Sequence, residues 1–258
     1  MRPAALPTAL VGLALLHTAP AGTWLPAVRR RLPGLAGVGS ADHVALTFDD
    51  GPDPCSTPRF LDELERLGCR ATFFVLGEML ERHPELGQRI VADGHEMAVH
   101  GWRHVNALVM CPGRVTNEIG RASALVRAVT GAHPAWYRPP YGVLSAETLV
   151  AAPARGLRPV LWTAWGKDWT ATASPASVLA AMAPGLRGGA TLLLHDSDHT
   201  SAPGSWRSGL GALPALVDRC RSMGLRVGPL RDHGVTGTAA RGRRDPGTLR
   251  QADHGAPP

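Results

Sequence analysis

The sequence predicts an α/β protein, a parallel, mostly closed seven-stranded β/α barrel. Three observations predict it. Seven strand-like runs alternate with helix-like ones from residue 43 onward. Unusual polar residues fall repeatedly at the ends of the strand-like runs, where a parallel barrel gathers its working groups. No GxGxxG follows the first strand, which weakens the alternative, an open doubly wound sheet built for a dinucleotide. The chain has 258 residues and 44% of them are apolar, enough for one large domain with tails.

The elements follow in order. "HVALTF" from His43 is a strand, and "TPRFLDELERLG" is an amphipathic helix with Pro58 in its first turn and Gly68 as C-cap. "RATFFVLG" is a strand, "HPELGQRIVADG" a helix ended by Gly94, and "HEMAVH" a strand. "GRVTNEIGRASALVRAVTG" is a long helix closed by Gly131, and "AWYRP" a short strand. "SAETLVAAPARG" is a helix broken near Pro153, and "RPVLWT" is a strand. "SPASVLAAMAPG" is a helix with Ser174 as N-cap and Pro175 in its first turn. "ATLLLH" is a strand, "GLGALPALVDRCRSMG" a helix, and "LRVGPL" the last strand. There is no internal repeat.

These runs divide the chain into three parts. Residues 1–41 are an apolar segment and linker, residues 42–230 the folded domain, and residues 231–258 a basic tail. The first part has an early Arg2, an apolar stretch and a small-x-small site at Ala19-Pro20-Ala21, which together read as a secretory signal. The uncharged stretch from Pro3 to Val28 is long enough to cross a bilayer if helical, so a membrane tether is the other reading. Either one puts the protein outside the cytoplasm or at the cell envelope. The tail is polar, Gly- and Pro-rich and aperiodic, so disorder is expected, and its removal after about Arg231 should leave activity intact.

Net charge is +6. Arginines cluster at Arg29–Arg31 and again at Arg241, Arg243 and Arg244, both outside the part that reads as folded. No aromatic-rich basic face accompanies them, so nucleic acid is not an expected partner, whereas an anionic cell envelope fits. Four irregularly spaced cysteines, Cys55, Cys69, Cys111 and Cys220, make neither a zinc-ribbon signature nor a disulfide framework.

The polar strand ends carry the chemistry. "FDDGP" follows the first strand, "HGWRH" the third, "RPPYG" the fourth, "WGKDW" the fifth, and "LLLHD" ends the sixth. His100 and His104 are four residues apart, as are His195 and His199, and a nearby anionic ligand favours the first pair. "HGWRH" has no Glu after its first His and is therefore not a zincin helix. Two imidazoles and one carboxylate make a cation site with a position left for water. That accounts for Asp49 and Asp50 side by side: one ligates the cation and the other serves as general base. Adjacent strand residues point to opposite faces, so the pair converges only where Gly51 and Pro52 end the strand.

In this order "TFDDGP", "ATFFVLG", "GHEMAVHGWRH", "RPPYG" and "LLLHD" closely resemble the polysaccharide deacetylase family, carbohydrate esterase family four, from about Asp42 to Leu230. The resemblance implies a distorted, mostly parallel seven-stranded β/α barrel. It implies one divalent metal, zinc ahead of cobalt or nickel, held by Asp50, His100 and His104. It makes Asp49 the base, Arg138 its partner, the backbone N–H of Tyr141 an oxyanion donor and His195 the acid. It makes Trp169 and Leu193 the lining of the acetyl-methyl pocket, with Asp168 beside them. The implied reaction removes N-acetyl groups from an N-acetylglucosamine polymer or oligosaccharide, peptidoglycan- or chitin-like.

Two departures stand out. Gly101 replaces the Ser or Thr that usually follows the first metal histidine. Trp165 stands where many relatives keep an aspartate that tunes the acid histidine. Support for His195 must then come from Asp168, from Asp196 or from nothing. If from nothing, His195 loses its proton at lower pH than in those relatives, and Trp165→Asp raises the alkaline limb of the rate profile.

Three rival readings remain. A metal-dependent hydrolase of a linear or cyclic non-sugar amide would use the same groups. A glycosidase needs carboxylates about 5–9.5 Å apart across the bond, which adjacent aspartates serve badly. A silent carbohydrate-binding module would not need Asp49 and His195 intact.

Overall fold

The computed structural model describes residues 5–235. Eight strands form one sheet: β1 His43–Asp49, β2 Thr72–Leu76, β3 Glu96–Gly101, β4 Trp136–Tyr137, β5 Arg158–Pro159, β6 Ala164–Trp165, β7 Thr191–His195 and β8 Arg226–Gly228. All pairings are parallel, in the order β5-β4-β3-β2-β1-β7-β6, with β8 added to β1. β1 is buried along its whole length, as a central parallel strand covered on both faces must be. The helices that cover it read as expected. Thr57–Arg66 buries Phe60, Leu61 and Leu64, and Ser174 caps Pro175–Met182 by accepting from the Ser177 N–H at 3.2 Å.

The two edge strands, β5 and β6, are not paired with each other, so the barrel is distorted and open along one seam. The single strand predicted over 158–163 is strand only at Arg158–Pro159, and the next strand, β6, begins just beyond it at Ala164. Its hydrogen bonds change sides midway. Arg158 N–H donates to Ala135 O and Val160 N–H to Tyr137 O on one edge, whereas Thr163 N–H donates to Thr191 O on the other. No single strand can serve both edges.

The described part of the first segment, residues 5–41, carries structure of its own. A helix at Ala5–Thr18 is followed by short helices at Pro26–Arg29 and Pro33–Ala36. The last of these closes the seam: Leu35 O accepts from Leu161 N–H at 2.7 Å, and Gly37 O from Thr191 Oγ1 at 2.6 Å. Arg29 therefore belongs to the folded body, while Arg241, Arg243 and Arg244 lie outside the described residues. The stretch from Pro3 to Val28 does not make one helix either. Its 14-residue helix spans about 21 Å, and among the described residues no helix is long and apolar enough to cross a membrane.

The folded domain also runs past its expected end at residue 230. Arg231 N–H donates to Glu96 Oε2 at 3.0 Å, and its guanidinium reaches the carbonyls of His95 and Gly94. His233 is fully buried, its Nδ1 paired with His43 Nδ1 at 2.8 Å, and Val235 joins a buried cluster with Ala45, Phe74 and Trp136. Aperiodic sequence hid this because each contact is made by one residue rather than by a repeating face. A chain ending at Leu230 is therefore expected to be about 2–4 kcal/mol less stable than one ending at Val235, from one buried valine and several lost hydrogen bonds. Urea midpoints of the two chains check this, and equal midpoints would show that the last five residues contribute nothing.

Among the described residues all four cysteines are free thiols, Cys69 and Cys220 buried, Cys55 and Cys111 exposed.

Candidate active site

The strand ends meet at one end of the sheet. β1 runs straight to Asp49, and Asp50 then turns into the left-handed region at φ +79°. That conformation is tolerated by Asp better than by most residues. It breaks the strand alternation and lets both carboxylates face the same cavity, where both are buried. Gly51 is required next, because a Cβ there would collide with the Asp196 carboxylate.

Asp49 Oδ1 accepts from Arg138 Nη1 at 2.6 Å. Arg138 is fully buried on β4's extension, and also donates to Thr47 Oγ1 at 2.8 Å and Leu161 O at 2.9 Å. Burial pushes the guanidinium pKa down and the Asp49 carboxylate opposes that. Thr47 went unnoticed in the sequence. It lies two residues before Asp49, hence on the same strand face, and that spacing is the signal that could have found it.

His100 ends β3 with its Nδ1 at 2.8 Å from Arg138 O. A carbonyl only accepts, so Nδ1 carries the proton and the Nε2 lone pair is left to face the cavity. That Nε2 lies 3.3 Å from Asp50 Oδ1, and His104 Nε2 lies 3.5 Å from the same atom. Burial drives the His104 pKa down to about 4, against the pull of Asp50. Asp50 Oδ1 is buried with no hydrogen-bond partner, while its Oδ2 accepts from Thr200 Oγ1 at 2.5 Å. One carboxylate oxygen and two imidazole nitrogens thus converge, all within 4.8 Å of one another. Such a donor set is repulsive by itself and fits a divalent cation of the borderline kind that takes mixed N and O ligands.

Gly101 has φ +124°. A Cβ there would lie 3.3 Å from Arg103 O, so the backbone path between the two histidines favours glycine here.

His195 ends β7 directly beside Asp49 in the sheet register. Its support is settled by geometry. Asp168 takes the backbone N–H of His195 on Oδ2 at 2.8 Å, and its Oδ1 lies 2.9 Å from Nδ1. Burial alone would lower the His195 pKa, but the charge and hydrogen bond of Asp168 more than offset it and raise it to about 10. The expected low alkaline limb, and its rescue by Trp165→Asp, are therefore withdrawn: the carboxylate missing at 165 is replaced by Asp168. Asp196 takes no part, being engaged with Thr57 Oγ1 at 2.5 Å. His199 does not form a second cation site with His195, and its Nε2 faces Glu78 at 3.4 Å.

Tyr141 sits in a turn at φ +58° with its ring half exposed, edge-on to His104 at 4.3 Å. Its carbonyl accepts from Trp24 Nε1 at 3.0 Å. Trp24 lies in the segment read as a leader, and nothing in its spacing pointed to the site. Trp169 packs edge-on against His195 at 5.7 Å. Leu193, two residues before His195 and so on the same face, is buried with Leu161 and Trp162.

The chain is similar to known proteins in sequence and in fold. The sequence profile of the polysaccharide deacetylase family matches residues 36–160. The chain is 37% identical over 217 residues to the chitooligosaccharide deacetylase of a Bradyrhizobium species, covering 79% of this chain and 94% of that protein. It is 30% identical to the peptidoglycan-N-acetylglucosamine deacetylase of Bacillus cereus, over 80% of this chain and 74% of that one. Among solved structures, a peptidoglycan N-acetylglucosamine deacetylase bound to an N-oxidanyl-benzamide superposes with a TM-score of 0.74 at 28% identity, covering 82% of this chain and 97% of that chain. A family 4 carbohydrate esterase from Streptomyces lividans, in complex with acetate, gives 0.65 at 30% identity over 73% and 93%.

Proposed function

The chain belongs to the polysaccharide deacetylase family, and on that premise we propose that it hydrolyses N-acetyl groups on an N-acetylglucosamine-containing glycan with the help of one divalent cation, zinc by preference. The observation that carries the metal requirement is the convergence of Asp50, His100 and His104 around a buried Asp50 oxygen that has no hydrogen-bond partner. A cation held there supplies positive charge that acidifies water and polarises an acyl oxygen.

The chain's own residues divide the remaining work. Asp49 Oδ1 is held by Arg138, so Oδ2 is the oxygen that takes the proton from the attacking water. The Tyr141 N–H donates to the oxyanion, and the Trp24 bond to the Tyr141 carbonyl fixes the turn that aims it. His195 keeps its Nδ1 proton on Asp168 and passes the Nε2 proton to the departing amine nitrogen. Trp169 and Leu193 shape the space for the acetyl methyl. The substrate is met in the envelope or outside the cell, the N-terminal segment serving as signal or tether.

The test is to incubate metal-loaded protein with acetylated chitooligosaccharides, peptidoglycan fragments and small cyclic amides, and to weigh the products. Loss of one acetyl mass per event from a sugar supports the reading. Chain shortening, or turnover of the cyclic amides alone, would replace it.

Asp168→Asn gives a narrower check. His195 must be protonated to act, and a carboxylate partner raises its pKa. Removing that charge should move the alkaline limb of kcat/KM down by about 1–3 pH units. A limb that stays put in a folded, metal-loaded variant would mean that His195 is not the acid.

A further inference from the structure

Beside the catalytic cavity lies a groove of about 610 Å³ that this chemistry does not use. Trp24, Trp162 and Trp165 form its aromatic wall, and Arg29, Arg30 and Arg187 its charged one. It adjoins the site on two sides. Trp24 holds the Tyr141 carbonyl, and Trp165 packs against Trp169 at 4.8 Å, which in turn touches His195.

Among the described residues no acidic side chain lines the groove, and none of its three arginines is in an ion pair. Arg29 is half-buried, and its guanidinium is held 5.3 Å from the Trp162 ring and 5.9 Å from Trp24. Burial lowers its pKa with no carboxylate to offset the cost. Arg29 also donates to Thr23 O at 3.1 Å, while Arg30 and Arg187 are exposed. Three cationic heads next to flat indole faces fit a ligand that brings a carboxylate on a ring-shaped apolar body.

We infer that this groove is a subsite for a carboxylate-bearing sugar of the glycan strand, next to the residue whose acetyl group is removed. The inference rests on the deacetylase reading only for the neighbouring sugar. It deepens that reading by favouring an anionic, peptidoglycan-like strand over a neutral chitin-like one.

Tryptophan fluorescence of the full chain, titrated with two tetrasaccharides, tests it. One is all N-acetylglucosamine; the other alternates N-acetylglucosamine with N-acetylmuramic acid. The parent should bind the carboxylated strand about tenfold more tightly, and added salt should shrink that advantage. The Arg30→Ala/Arg187→Ala double variant should lose the advantage while binding the neutral strand as before. Equal affinities in the parent, or an equal loss for both strands in the variant, would overturn the proposal. Tighter binding of a phosphorylated N-acetylglucosamine tetrasaccharide than of the carboxylated strand would overturn the choice of carboxylate. A preference that persists while neither strand releases acetate supports the groove and removes the deacetylase reading instead.

Discussion

Asp49→Asn is expected to lower turnover by about 10²–10⁴-fold while leaving bound metal in place. An amide keeps the carbonyl that accepts from Arg138 but has no oxygen able to take a proton from water. Metal is spared because the converging donors belong to Asp50, His100 and His104. The variant also leaves the fully buried Arg138 opposite a neutral group. Removing one partner of such a pair costs about 3–5 kcal/mol of stability, so the melting temperature should fall as well. Assays well below the new midpoint, with metal content measured on the same sample, separate the two effects. If the variant instead lost its metal and recovered rate on reloading, the two aspartates would exchange roles.

His104→Ala is expected to lose most of the bound metal and, with it, nearly all activity. It is a cleaner change than His100→Ala. His100 Nδ1 satisfies Arg138 O inside the barrel, so its removal would strand a buried carbonyl. His104 Nδ1 has no partner, so removing that ring strands nothing on its far side. The fold should therefore survive, and elemental analysis of a folded variant reads the site directly. Full occupancy would remove the site as described here.

What could be read from the chain before its structure depended on repetition. β1, β2, β3 and β7 announce themselves by unbroken apolar runs, and the polar residues stand at their ends because a parallel sheet leaves side chains free only there. The Asp49–Arg138 pair and the Asp50, His100 and His104 cluster follow once those strands are adjacent. Single contacts were not legible. Asp168 reaches His195 through a turn in which Lys167 has φ +52°, and no spacing rule foretells that. Trp24 and Thr200 act through one side-chain hydrogen bond each and His233 through two, from segments whose composition resembles leader, loop and tail. The run 158–163 has strand chemistry throughout, and only tertiary pairing decides that it must split.

The closed seam sets an order in time for the making of this protein. Gly37 finds Thr191 across 154 positions of chain and the His233 ring across 196. Loops that long close slowly, and folding rates fall as contacts become more distant along the chain. A ribosome adding about 5–20 residues per second must pass residue 233 before these partners all exist. Until then β5 and β6 are bare edges able to pair with another nascent chain. The barrel cannot be completed before residue 233 is made, which keeps the polypeptide in an open form until then.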